Sequence, residues 1–287
     1  MRSPQPSGAG SAAELPPPPD NRDIEFSPDD FERVRKLIRN KAGIDLQAGK
    51  QNMVYSRLAR RLRDRGHRSF RSYLDALRGD TDPEWQEFIN CLTTNLTAFF
   101  RESHHFDTLA QELRARPGPV RIWSCAASTG EEPYSLAITA MECGAGHRTH
   151  IEASDVDTRV LAHAEAGIYP LESASGLGEE RLRRFFLRGA GRNAGFARVK
   201  PELRALVRYF NLNLLAQPWK LQPHDMVFCR NVMIYFDRPT QRAVLERLHA
   251  VLKPGGLLFV GHSENFTEHR NLFTLCGKTV YRRAEAA

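Results

Sequence analysis

V-R-I-W-S-C-A-A-S-T-G-E-E-P-Y-S, residues 120–135, is the stretch whose reading decides the fold. Val120, Ile122 and the Trp-Ser-Cys that follows read as a short buried strand. The small residues at 126–130 suit a tight turn. Glu131, Glu132 and Pro133 read as the first turn of a helix, where acids meet the positive end of the helix dipole and proline loses no hydrogen bond. Strand, turn and helix form the opening unit of a doubly wound sheet, which binds nucleotide-like molecules at the carboxyl ends of its strands.

The turn also restricts the ligand. A dinucleotide lays its pyrophosphate on the helix N-terminus and needs G-x-G-x-x-G for close backbone approach. Only Gly130 is present here, and two carboxylates stand where a phosphate would sit. They repel phosphate and suit a cationic, phosphate-free adenosine derivative, which is the chemistry of S-adenosylmethionine. The same acids would also complement the helix dipole with no ligand at all.

The 287 residues are 41% hydrophobic and 26% charged, enough for one large domain or two modest ones. No apolar run is long enough to span a bilayer, and the N-terminus lacks the apolar core of a secretory signal. Five scattered cysteines without a C-x-x-C or Cys/His pattern predict free thiols, no structural metal and a cytoplasmic protein. The net charge of +7 admits nucleic acid, an anionic surface or an acidic protein as partner.

Residues 1–24, rich in Pro, Ser, Gly and Ala, read as a disordered tail. Residues 25–92 carry helical periodicity throughout. Ser27 caps a first helix bearing Phe31, Val34 and Ile38, and Gly43 can end it. A second helix over residues 51–65 gathers Val54, Tyr55, Leu58 and Leu62 on one arc. Arg57, Arg60, Arg61 and Arg63 fall on the opposite arc with no acid among them, which predicts a binding face rather than a neutral solvated one. Helices over residues 69–77 and from Asp82-Pro83 onward complete a small bundle. The linker T-T-N-L-T-A-F-F-R-E, residues 93–102, is too apolar for a plain connection, and it presents Asn95, Thr97 and Arg101 to a cleft.

Beyond the opening unit, a second strand ends at Asp155, 25 positions after Gly130, where an acid can accept ribose hydroxyls. Residues 170–213 read as a small β excursion containing Gly189, Gly191 and Gly195. These glycines belong either to a flexible hairpin or to a sheet edge offered to an extended peptide. A strand over residues 226–229 delivers Arg230 and Asn231 at its carboxyl end, with Tyr235 in the same loop. A helix over residues 240–252, a Lys-Pro-Gly-Gly turn at 253–256 and strands over residues 257–260 and 273–282 close the sheet.

Four stretches together, T-T-N-L-T-A-F-F-R at 93–101, S-T-G-E-E-P-Y at 128–134, C-R-N-V-M-I-Y-F at 229–236 and G-H-S-E-N at 261–265, resemble the CheR family of chemotaxis receptor methyltransferases. The resemblance runs over residues 26–282. It implies an α/β fold: a doubly wound Rossmann-like methyltransferase sheet over residues 104–287 with a small β subdomain inserted at about 171–212. An all-α N-terminal domain over residues 25–92 and a linker over 93–103 precede it. The implied reaction takes methyl from S-adenosylmethionine, leaving S-adenosylhomocysteine, to glutamate carboxylates on the cytoplasmic domains of chemoreceptors. No metal is implied.

The resemblance also assigns residues. Asn95, Thr97, Arg101, Glu132, Asp155, Asn213, Leu214, Arg230 and Asn231 would line the S-adenosylmethionine site. Tyr235 would lie beside the transferring methyl, and Arg101 or Arg230 would steer the acceptor carboxylate. A glutamate of pKa about 4.3 is already ionised at neutral pH, so no general base is needed, and His104, His105 and His262 are expected to be structural. The arginine face would meet the acidic methylation helices of the receptor. Members that bind a C-terminal receptor pentapeptide carry G-x-G-x-x-x-G, whose spacing Gly189, Gly191 and Gly195 match. The implied protein is a monomer recruited to receptor arrays at the inner membrane, without inserting into it. A nucleic-acid methyltransferase and a non-catalytic adaptor are the alternatives. The basic residues lack the interleaved aromatics of a single-strand platform, and the retained site residues argue against a dead enzyme.

Overall fold

The computed structural model describes residues 23–79 and 81–285. Most of the expected tail, residues 1–22, lies outside the described residues. Its last two positions are packed: Ile24 is buried, and the Asp23 carboxylate accepts hydrogen bonds from Tyr55 Oη and Arg63 Nη1. The helical domain therefore begins at least two residues earlier than its periodicity indicates.

That domain contains α1 (Pro28–Ala42), α2 (Gln51–Asp64), α3 (Phe70–Ala76) and α4 (Glu84–Leu92). Ser27 and Asp30 form a capping box at the start of α1, and Gly43 ends it at φ 74°. The apolar faces of the four helices close over Phe31, Val34, Ile38, Leu58, Phe70 and Phe88.

The linker leads into α5 (His104–Ala115), β1 (Val120–Ser124), α6 (Glu131–Glu142), β2 (Thr149–Asp155) and α7 (Thr158–Ala166). The strands that follow are β3 (Ile168–Pro170), β4 (Phe186–Arg188), β5 (Phe196–Val199), β6 (Val207–Asn211), β7 (His224–Cys229), β8 (Leu252–Val260), β9 (Phe273–Gly277) and β10 (Val280–Arg283). A helix at Arg238–Val251, capped by Asp237, joins β7 to β8. The main sheet has the order β6-β2-β1-β7-β8-β10-β9. β6, β2, β1, β7 and β8 pair in parallel, and β10 enters antiparallel. Its two faces are packed by separate apolar clusters, one under α5 and α6 and the other under the Arg238–Val251 helix. The doubly wound sheet and the all-α domain are those expected.

The β subdomain is smaller than its expected span. β3, β5 and β4 make a separate antiparallel sheet over residues 168–199. β6 instead pairs with β2 as the edge of the main sheet. Its Val-Arg-Tyr-Phe pattern has the same local appearance in either sheet, and only the pairing partner separates them. The Lys-Pro-Gly-Gly stretch, expected as a turn, lies inside β8 as an irregularity opposite His224 and Met226.

Candidate active site

β1 runs between β2 on one side and β7 on the other, so the chain leaves it in opposite directions and a crevice opens at the strand ends. A cavity of about 390 Å³ occupies that crevice. Asn95, Thr97, Arg101, Glu132, Asp155, Asn213, Leu214, Arg230, Asn231 and Tyr235 all line it. The ten come from five separate places in the chain: the linker, the α6 N-terminus, the end of β2, the end of β6 and the loop after β7.

Gly130 makes the turn into α6 at φ 99°. A Cβ there would lie 2.7 Å from both Ala164 Cβ and Tyr169 Oη, so the glycine lets α6 pack against α7 and β3. The two acids that follow separate. Glu131 accepts from Thr129 Oγ1 at 2.7 Å. Glu132 lines the cavity, where its carboxylate accepts from Ser124 Oγ at 2.8 Å and Arg230 Nη1 at 2.7 Å.

Arg230 has a role different from the expected steering of an acceptor. Its side chain is 2% exposed and is fixed between Glu132 and Glu102, whose Oε2 is 3.4 Å from Nη2. A guanidinium locked between two acids is not available to a third. Two carboxylates against one guanidinium leave one surplus negative charge, which suits the cationic methionine end of S-adenosylmethionine. Burial pushes the Glu132 carboxyl up, and the Arg230 charge pulls it back.

Asp155 ends β2 with one oxygen accepting from Ser128 N at 2.8 Å and the other from Asp157 N at 2.9 Å. Burial pushes its carboxyl up against those two bonds. Its remaining lone pairs stay available to hydroxyl donors in the cavity. With apolar Val156 and Leu214 beside it, this acceptor fits a phosphate-free adenosine derivative. Asn213 Nδ2 donates to Lys41 O at 2.6 Å, and its Oδ1 accepts from Leu215 N at 2.9 Å, so this side chain ties the sheet domain to the end of α1.

Some residues that build the site were given no role by the motif reading, although Glu264 lies within the G-H-S-E-N stretch. Ile44, Leu46 and Met53 extend the helical domain over the cavity. The apolar Ile44 and Leu46, in a short connection between two helices, were the available clue. Glu264 is buried and accepts from the backbone N–H groups of Asn231, Val232, Met233 and Gly261 at 2.9, 3.0, 2.8 and 2.6 Å. It thereby shapes the loop that carries Asn231 and Tyr235. Four non-glycine residues around the site, Phe100, Glu102, Ser128 and Asn231, hold positive φ of 49–58°. Such backbone is retained where the surroundings over-determine it.

The three histidines lie together behind the Arg230 pair. His105 is buried with Nε2 2.8 Å from Thr279 Oγ1, and His104 stacks on His262. Glu102, His104 and His105 have ligand atoms within 4.8 Å of one another. The cation beside this group is the guanidinium of Arg230.

The arginine face of α2 is largely occupied. Arg57 donates to Leu92 O and Thr93 O, Arg61 grips Glu84 through Nε and Nη2, and Arg63 pairs with Asp23. Arg60 alone of the four has no ionic or hydrogen-bonding partner among the described residues, and it is exposed. In the small sheet, Gly189 closes against Asn193 O, where a Cβ would lie at 2.0 Å. Gly191 and Gly195 take φ of 56° and 89° in open space.

Residues 29–93 match the family description "CheR methyltransferase, all-alpha domain", and residues 95–282 match "CheR methyltransferase, SAM binding domain". A chemotaxis protein methyltransferase of Klebsiella aerogenes is 55% identical over 256 residues, 88% of each chain. That of Escherichia coli is 51% identical over 255 residues, 88% of this chain and 89% of its own. Chemotaxis protein methyltransferase 2 of Pseudomonas aeruginosa is 50% identical over 271 residues, 92% of this chain and 96% of its own. The cavity chemistry and these matches agree: the chain belongs to the CheR methyltransferase family and is an S-adenosylmethionine-dependent methyltransferase.

Proposed function

We propose that this protein methylates glutamate side-chain carboxylates on the cytoplasmic domains of chemoreceptors, forming glutamate methyl esters. The observation that carries the reading is Arg101. It lines the cavity half-buried, and the only partner of its guanidinium among the described residues is the Leu96 carbonyl, accepting from Nη1 at 2.9 Å. A guanidinium without a carboxylate, beside the site of transfer, suits an anionic acceptor. The relatives named chemotaxis protein methyltransferase support the receptor as its source.

S-adenosylmethionine, when bound, supplies an electrophilic methyl group. Glu132 and Asp155 hold its cationic and ribose portions, and Asn95, Thr97, Asn213, Leu214 and Asn231 complete the enclosure. Arg101 orients the acceptor carboxylate. Tyr235, whose hydroxyl has no protein partner among the described residues, presents ring and hydroxyl to the transfer site. Enclosure strips water from the carboxylate and holds the reactants in register. Arg60 on α2 meets the acidic receptor helices. The loop of Gly189, Gly191 and Gly195 beside β4 and β5 docks a receptor C-terminal peptide, which raises local concentration without altering the chemistry. Gly191→Arg is expected to abolish calorimetric binding of that peptide while leaving cofactor affinity unchanged.

The test is incubation with methyl-labelled S-adenosylmethionine and chemoreceptor-containing membranes. Label released as methanol by mild base is the expected result. Absence of base-labile label, with cofactor binding intact and a receptor known to be competent, would overturn the proposal.

A further inference from the structure

Two thiols at the carboxyl ends of β1 and β7 have no part in methyl transfer. The strands pair in parallel, Ile122 with Met226, Trp123 with Val227 and Ser124 with Phe228, and Cys125 N donates to Phe228 O at 2.9 Å. One more step along both strands sets Cys125 beside Cys229. Side chains at matched positions of paired strands leave the sheet on the same face. Both cysteines are accordingly buried in one apolar cluster, under the Arg238–Val251 helix. Adjacent strands lie about 4.8 Å apart, within the Cα separation that a disulfide spans. The two side chains meet: hydrogen bonding to Cys125, ahead of burial, pushes the Cys229 thiol well up. Both thiols are free. They differ in access, because Cys125 lines the cavity and Cys229 lies behind it.

We propose that Cys125 and Cys229 form an oxidation site, at which hydrogen peroxide entering the cavity closes a disulfide across β1 and β7 and weakens S-adenosylmethionine binding. The Cys125 sulfur attacks the peroxide. An S–O bond forms, the O–O bond breaks, and the thiol proton leaves with the second oxygen as water. The Cys229 sulfur then displaces the oxygen of the Cys125 sulfenic acid. The S–S bond forms, the S–O bond breaks, and the Cys229 proton leaves with that oxygen as a second water. Two thiols thus lose two electrons while one peroxide becomes two waters. The thiolate is the reactive form, so the raised Cys229 thiol is the poorer first nucleophile, and its place against Cys125 gives it the resolving role. Bond formation draws the two sulfurs closer than contact and pulls the strand ends together. Cys125 precedes the turn that leads to Glu132, and Cys229 precedes Arg230, so the Glu132–Arg230 pair shifts with them. The oxidation site is independent of which acceptor receives the methyl group.

The experiment treats the full-length enzyme with hydrogen peroxide, stops the reaction with catalase, blocks remaining thiols and maps the peptides by mass. The expected product is a cross-linked pair of peptides carrying Cys125 and Cys229, lighter by two hydrogens. Calorimetric affinity for S-adenosylmethionine should fall by about tenfold after treatment and recover with dithiothreitol. Saturating S-adenosylhomocysteine, which fills the cavity that Cys125 lines, should slow the cross-link. Cys125→Ala should bind the cofactor equally well before and after peroxide. In Cys229→Ser, dimedone should trap Cys125 as the sulfenic acid. Cys276→Ser, at an exposed thiol, should respond as wild type does. Free Cys125 and Cys229 under conditions that oxidise Cys276 overturn the site. So does a cross-link that changes cofactor affinity by less than about twofold. A cross-link that forms as fast under saturating S-adenosylhomocysteine, or that joins two copies through Cys276, overturns it as well.

Discussion

Glu131 and Glu132 are adjacent in the chain yet serve different ends: one caps the turn through Thr129, and the other faces the cavity under the charge of Arg230. His105 shows the reverse situation, in which a polar residue is buried beside charges and kept neutral. Burial first, then the Arg230 guanidinium, lowers its pKa to about 3. An unfolded histidine titrates near 6.5, so between about pH 6.5 and pH 3 the unfolded chain binds a proton that the folded one refuses. Stability from this group is therefore lost as the pH falls, by about 2 kcal/mol between pH 6.5 and pH 5. His105→Asn should flatten the dependence by that amount, as read from urea unfolding at pH 7 and pH 5. An unchanged slope would place the acid sensitivity elsewhere.

At the level of the element, one face of α2 carries three arginines held by internal partners and one, Arg60, that is exposed. Arg61 pairs with Glu84, which also accepts from Tyr73 Oη at 2.9 Å, so this arginine belongs to a partly buried network. Arg61→Glu sets a second negative charge against Glu84. It should lower unfolding free energy by about 3 kcal/mol, the usual cost of breaking such a pair. Arg60→Glu, at an exposed site, should leave stability within about 0.5 kcal/mol. It should raise KM for the receptor in a salt-dependent way. Calorimetry and steady-state assays at two ionic strengths separate the two effects. Periodicity grouped these arginines on one face of the helix. It could not show that Glu84, 23 positions away, meets it, because the α3 turn and the α4 start that deliver Glu84 are set by tertiary packing.

For the molecule as a whole, the cavity closes only because the helical domain rests on the sheet. Asn213 reaches Lys41, Arg39 pairs with Asp237, and Asn90 Nδ2 donates to Thr158 Oγ1 at 3.0 Å. Asn213→Ala removes two hydrogen bonds of about 1 kcal/mol each and should weaken S-adenosylmethionine binding by about fivefold to tenfold. Arg39→Ala removes an exposed pair and should change affinity less than about twofold. Equal effects from the two in titration calorimetry would mean that domain closure, rather than the Asn213 bonds, sets affinity. No helix among the described residues is long and apolar enough to cross a membrane.

The sequence alone determined the units that depend on near neighbours. These are the capping box before α1, the strand-turn-helix at residues 120–135, the acid ending β2 and the strand that carries Arg230, each written within one short stretch of chain. The tertiary structure decided what those residues meet. Arg230 reaches Glu132 across 98 positions, and Asn213 reaches Lys41 across 172. Sheet pairing placed β6 at the edge of the main sheet. Local pattern follows from the chemistry of adjacent residues, whereas ion pairs, edge assignment and exposure depend on which distant surfaces burial brings together.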